Sequence, residues 1–264
     1  MEQETKSLTL PNLVKTVYEF LSRGRKGYAP ARNYASQIGH PCERKLVYER
    51  LNWEEKALTS AHSQMIFRLG RMFESDTIRL LQDAGFAIVE QQRPFSDDKY
   101  QISGKVDFRV KIDGQNIPTE YKTINEYDFD ELDSIDDMLL STKSWVQSWP
   151  AQIMIYLFLS NEENGIMLLQ AKQSGRLKQI NVKMDYEYCE SLLKKLERIN
   201  EHVKNKTYPA RIKDLSVCQY CDFKAKPLGN CMRPSASALT KPPCVESKVL
   251  RNASSRPGNQ RSRL

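Results

Sequence analysis

Two periodicities divide this chain. Apolar residues recur at helical spacing over residues 12–24, where Leu13, Val17, Phe20 and Leu21 fall on one face. They recur again from Ser60 to Ala84, where Met65, Leu69, Met72, Phe73, Leu80 and Leu81 share a stripe and Gly85 suits the helix end. Between these lie a polar, turn-forming stretch over 31–41 and a short helix from Glu43 to Leu51. The period then falls to two. Residues 86–95, 101–112 and 116–124 predict three strands, with Asp113-Gly114 as the hairpin turn between the last two. An acidic stretch from Glu126 to Asp137 reads as a solvated loop or a helix start. Ser148 is a candidate N-cap for the strongly apolar segment 149–160, which tolerates Pro150 in its first turn. Strands over 166–172 and 176–184, joined through Ser174-Gly175, and a helix over 186–206 complete the regular part. Helix, three strands, helix, two strands and helix predict an α/β domain: a small mixed sheet flanked by helices. The domain is expected over 1–234. Residues 235–264, rich in Ser, Pro, Arg and Asn, read as a disordered basic tail.

Composition narrows the class. A chain of 264 residues can bury one good core. No apolar run reaches the about 18 residues that a membrane span needs, and the charged N-terminus lacks an apolar leader core. A cytoplasmic protein without a membrane partner is therefore expected. With 40 basic against 33 acidic residues the net charge is +7, which fits a polyanionic partner such as nucleic acid. Part of that excess sits after Pro234, where six Lys and Arg face only Glu246.

The candidate chemistry lies on the predicted hairpin. Gly104-Lys105-Val106-Asp107 is followed, across the turn, by Glu120-Tyr121-Lys122. Asp107 and Glu120 can point to one spot from adjacent strands, and period two puts Glu120 and Lys122 on the same face. Two carboxylates supply hard oxygen ligands for Mg²⁺ or Mn²⁺. A lysine beside a metal-bound water can orient it and stabilise charge on a phosphate. The Tyr121 backbone carbonyl is a further candidate ligand. Taken alone the triplet is also readable as an exposed strand with a Glu120–Lys122 ion pair. A second pair, Gln152 and Tyr156, is four residues apart and so shares a face of the next helix.

In that order, GxxD, ExK and QxxxY resemble the signature of RecB-like nucleases in the PD-(D/E)XK superfamily. The resemblance implies a restriction-endonuclease-like core and metal-dependent hydrolysis of DNA, with Asp107, Glu120 and Lys122 as catalytic residues. It also implies that Gln152 and Tyr156 contact DNA and the lysine region. On the preceding helix, Glu74 stands where several relatives carry a metal-binding histidine. Glu74, Asp107, Glu120 and the Tyr121 carbonyl are then the implied metal ligands.

Six cysteines are present, and Cys218, Cys221 and Cys231 lie within fourteen residues, a clustering that suggests metal ligation before disulfides. The segment from Pro41 to Tyr48 resembles the one that supplies a first cysteine in iron–sulfur RecB-like exonucleases, including AddB nuclease domains and CRISPR-associated exonucleases. That resemblance implies a 4Fe–4S cluster on Cys42, Cys218, Cys221 and Cys231, joining the start of the domain to its end. The gap between Cys221 and Cys231 is longer than in many relatives, which keeps structural Zn²⁺ as the alternative. Cys189 and Cys244 are expected to ligate nothing. The implied activity is a DNA exonuclease acting on single strands or free ends, with a helicase, integrase or recombinase as possible partner. The alternatives are an endonuclease of the same superfamily and a non-catalytic DNA-binding adaptor that keeps the fold.

Overall fold

Turn chemistry and alternation build one six-stranded sheet in this computed structural model, which describes residues 10–23 and 27–223. In chain order the elements are α1 (Leu13–Arg23), β1 (Asn33–Tyr34), α2 (Ala35–Ile38), α3 (Glu43–Leu51), α4 (Ala61–Asp83), β2 (Ala87–Asp97), β3 (Ile102–Ile112) and β4 (Gln115–Ile124). They continue with α5 (Glu126–Glu131), α6 (Ile135–Leu140), α7 (Ser144–Gln147), α8 (Trp149–Ser160), β5 (Asn164–Ala171), β6 (Leu177–Lys183) and α9 (Tyr186–Asn205). The sheet runs β1-β3-β4-β5-β6, with β2 pairing β3. β3–β4 and β5–β6 are antiparallel, whereas β4 and β5 are parallel and need the α8 crossover between them. The fold is thus α/β, a mixed sheet with helices on it, as expected.

Local chemistry sets the boundaries. Asp113 (φ 49°) and Gly114 (φ 83°) both take the left-handed conformation that a two-residue hairpin needs, which pairs Ile112 with Gln115. The Ser60 side chain caps α4 by accepting from the Ser63 amide, and Asp185 caps α9 through the Tyr188 amide. Two apolar layers sandwich the sheet. The larger joins α8 to α9, with Ile153, Ile155, Met167, Leu169 and Leu196 inside it. The smaller lies under α4, where Ile78 meets Phe108, Val110, Tyr121 and Leu168. Every residue from Trp149 to Leu157 is buried, so α8 is a core helix on all sides.

Several expectations change. The apolar stripe of α1 is not core: Leu13, Val17 and Phe20 are exposed and only Leu21 is buried. On α4 the buried residues are Thr77 and Ile78, while Leu69, Met72 and Leu80 are exposed. Helical spacing identifies a stripe but not its partner. Of its two readings, the acidic stretch takes the helix start and not the solvated loop. It forms α5 and α6, capped by Asn125 and Ser134, and buries Asp128, Phe129, Leu132 and Met138. Ser148 stands at the start of α8 without capping it; its hydroxyl donates to the Trp145 carbonyl, because α7 runs straight into α8. β1 and α2 arise within the stretch read as turns. Residues 235–264, Cys231 and Cys244 lie outside the described residues. Among the described residues no helix is long and apolar enough to cross a membrane.

Candidate active site

The sheet opens into a fork at Asp107. β2 pairs with β3 along one edge, from Ile102 to Lys111. The other edge is shared: β4 pairs with Phe108–Ile112, and β1 pairs with Ile102 and Ser103. The β3–β4 ladder stops at Phe108 and Thr119, one residue short of Asp107 and Glu120. Gly104–Asp107 therefore lack a strand partner on that edge. The Asp107 carboxylate fills the gap, accepting from the Tyr121 amide at 2.9 Å.

Glu120 and Lys122 project together, as period two requires, and Lys122 Nζ donates to Glu120 Oε1 at 2.5 Å. This is not an exposed surface pair, since Glu120 is only 1% exposed. Burial and the charge of Asp107 push the Glu120 carboxyl up to about 8, against the pull of Lys122. Burial disfavours the Lys122 ammonium, but the charges of Glu120, Asp107 and Glu74 outweigh it and hold Lys122 above the ordinary lysine value. Tyr121 turns to the other face, where its hydroxyl bonds to Gln170.

α8 reaches the fork through a relay. Gln152 Oε1 accepts from Lys122 Nζ at 3.1 Å, and Gln152 Nε2 donates to the Tyr156 hydroxyl at 3.1 Å. Both are buried, so here they orient the lysine. Gly104 makes room for this relay. A Cβ there would lie 2.6 Å from Tyr156 Cε1 and 2.9 Å from the Ala35 side chain. The glycine three residues before the aspartate thus serves the tyrosine, not the turn.

Glu74 joins from α4, which approaches β4 where a Cβ on Gly70 would lie 3.7 Å from the Thr123 hydroxyl. Burial and the Asp107 charge raise the Glu74 carboxyl above its ordinary value. Sequence reasoning missed the group that links these two acids. Gln92 Nε2 donates to Glu74 Oε1 at 2.9 Å and to Asp107 Oδ1 at 3.2 Å. Its backbone is left-handed (φ 50°) within β2, three residues after a bulge between Ile88 and Glu90. No pattern in the sequence marks it, because a strand glutamine ordinarily points to solvent.

Three carboxylates from separate segments thus surround one ammonium without meeting at one point. Among the described residues Glu120 Oε2 is buried with no donor, a costly state for a carboxylate oxygen. These hard oxygen donors fit a divalent cation such as Mg²⁺ or Mn²⁺. Among the described residues no three His, Cys, Asp or Glu side chains close on a single point. Glu74 and Asp107 are instead joined through the Gln92 amide.

Cys42 is buried at the start of α3, Cys218 lies within a short 3₁₀ turn over Ser216–Tyr220, and Cys221 directly follows that turn. Burial pushes the Cys221 thiol up, and Cys42 and Cys218 are close enough to add to that shift. Cys189 is a separate buried thiol on α9, pushed up to about 11 by burial.

A family model described as the PD-(D/E)XK nuclease superfamily matches residues 17–225. A search of the curated proteins finds no match. Solved structures similar to this chain include SSO0001, at 21% identity over 82% of this chain and 94% of that one, with a TM-score of 0.49. The alkaline exonuclease LHK-Exo from Laribacter hongkongensis is 10% identical over 67% of this chain and 90% of its own, with a TM-score of 0.46. A phage-related exonuclease from Haemophilus somnus 129PT is 11% identical over 66% of this chain and 94% of its own, with a TM-score of 0.45.

Proposed function

Since this chain belongs to the PD-(D/E)XK nuclease superfamily, we propose that it is a Mg²⁺- or Mn²⁺-dependent deoxyribonuclease that removes nucleotides from free DNA ends. The observation that carries this reading is the fork: Asp107, Glu120 and Lys122 meet where the sheet splits, and a buried carboxylate oxygen there has no donor. When bound, a divalent cation would polarise the scissile phosphodiester and make its water acidic. Asp107, Glu120 and Glu74 would hold it, with the Tyr121 carbonyl as a further ligand. Lys122, fixed by Gln152, orients the attacking water and stabilises charge on the phosphate. Gln152 and Tyr156 line the groove beside the fork, where they reach the DNA only at its floor. A non-catalytic adaptor would have no use for this charge cluster, because unbalanced buried carboxylates cost stability and add nothing to binding a polyanion.

The cysteines complete the proposal. Cys42, Cys218 and Cys221, with Cys231 from outside the described residues, hold a 4Fe–4S cluster, for which Zn²⁺ is the alternative. The CxxC spacing of Cys218 and Cys221 and the resemblance carried by the segment from Pro41 to Tyr48 support that grouping. Work on DNA ends suits a helicase, integrase or recombinase partner in a cytoplasmic setting.

The activity is tested with purified protein, Mg²⁺ or Mn²⁺, and end-labelled single-stranded, duplex and closed circular DNA. Linear DNA is expected to be degraded much faster than circles. Equal rates on both would instead identify an endonuclease, and no cleavage of any substrate would leave the adaptor reading.

A further inference from the structure

Tyr34 lines two spaces at once. On one side is a groove of about 550 Å³ that also touches Phe95, Lys105, Gln152 and Tyr156, and so ends at the relay to Lys122. On the other is a cavity of about 830 Å³ whose aromatic lining is Tyr28, Tyr34, Trp53 and Phe67, with Gln37 and Lys56 at its polar edge. The two spaces share that tyrosine, so the cavity is next to the groove that ends at the relay.

The cavity has the chemistry of an unpaired base. Of these aromatics Tyr28 is 69% exposed and Phe67 56% exposed, whereas Tyr34 and Trp53 are half-buried. The platform is braced. The chain at Gly27 runs against the Trp53 ring, since a Cβ there would lie 3.3 Å from it, and the Tyr28 and Tyr34 hydroxyls are 3.4 Å apart. The Gln37 side-chain amide makes no hydrogen bond among the described residues and offers both a donor and an acceptor to a base edge. The charges exclude phosphate from the cavity itself, because Lys56 is already paired with Glu49 at 2.7 Å and Glu54 lies beside it. Lys105 in the groove is the cation available to the backbone of a strand.

We propose that this cavity seats unpaired nucleobases of the strand whose phosphodiester lies at Asp107, Glu120 and Lys122, and that it makes the protein select single-stranded over duplex ends. The inference rests on the nuclease reading above and deepens it. Stacking on aromatic faces tolerates any base sequence, and a duplex hides the faces it would need.

The test is binding in EDTA, where cleavage is silent, followed by the anisotropy of a labelled mixed-sequence oligodeoxynucleotide and of a blunt duplex. Trp53→Ala and Tyr28→Ala are each expected to weaken single-strand affinity by about five-fold or more, the effect of losing one stacked base, and to leave duplex affinity unchanged. Trp53→Phe, which keeps a π face, is expected to retain most of the affinity. Tyr28 is an exposed side chain, so its variant does not depend on the survival of the core. Unchanged single-strand affinity in both alanine variants, or equal losses on single strand and duplex, overturns the proposal. Cleavage by the unaltered protein separates the two readings. If it cleaves and the alanine variants bind normally, the cavity fails alone. If it never cleaves but the variants lose single-strand binding, the fork reading fails and the base seat stands.

Discussion

At the residue scale the site is a contest between charge and geometry. Asp107 interrupts its own sheet by accepting the Tyr121 amide, and Glu120 is buried with one oxygen unsatisfied. On the proposed function such a cluster gains from a bound cation. Mn²⁺ is therefore expected to raise the thermal midpoint of the unaltered protein, by the linkage between binding and folding, and to leave Asp107→Ala almost unmoved. Cleavage in Asp107→Ala and Lys122→Ala is expected to fall by about a hundred-fold or more; full activity in Lys122→Ala would exclude the assigned role. Gln92 offers a sharper test, because its backbone and its amide make separable contributions. Gln92→Gly keeps the left-handed conformation and removes the bridge between Glu74 and Asp107. Orienting partners of metal ligands are typically worth about ten-fold in affinity. Calorimetric titration with Mn²⁺ should show a weakening of that order in Gln92→Gly, and unchanged affinity would leave only the backbone role.

At the scale of elements, the fork depends on two strands sharing one edge of β3 and on α8 filling the space between. Tyr156 reaches that space only because residue 104 has no side chain. Gly104→Ala forces the Tyr156 ring or the Ala35 methyl to move, and overpacking of this kind costs about 1–3 kcal/mol. Urea unfolding should show that loss together with reduced cleavage, since the ring anchors Gln152 and through it Lys122. A variant with unchanged stability and activity would show that the relay is not rigid. The hairpin contributes register: its two left-handed residues set Ile112 opposite Gln115, and counting along both strands brings Asp107 level with Glu120.

At the scale of the whole molecule, the proposed cysteine site ties α3, near the start of the domain, to the turn that follows α9. A cross-link between distant segments contributes to folding free energy. Anaerobically purified protein is expected to be brown. Cys218→Ser should lose the iron and unfold at lower temperature, whereas Cys189→Ser should keep the metal. A colourless protein with one zinc per chain would replace the cluster and leave the nuclease reading intact. The placement of the fork residues was legible in the sequence because a hairpin is local: Asp113-Gly114 and period two place Asp107, Glu120 and Lys122 without reference to any other element. The bounds of α4, β2 to β6 and α9 were legible for the same reason, through caps, turns and short-range spacing, whereas β1, α2 and α5 to α7 were not. The stripes of α1 and α4 misled, since periodicity marks a face but burial depends on which distant surface arrives. The same limit hid Gln92, whose bridge exists only when α4 docks beside β3. It also hid the purpose of Gly104, which an aromatic ring more than fifty residues away decides, and the aromatic cavity, whose walls come from separate segments. Sequence alone determined the groups within reach along one hairpin; tertiary structure decided every contact made across the sheet, because those contacts depend on packing between segments that local chemistry does not connect.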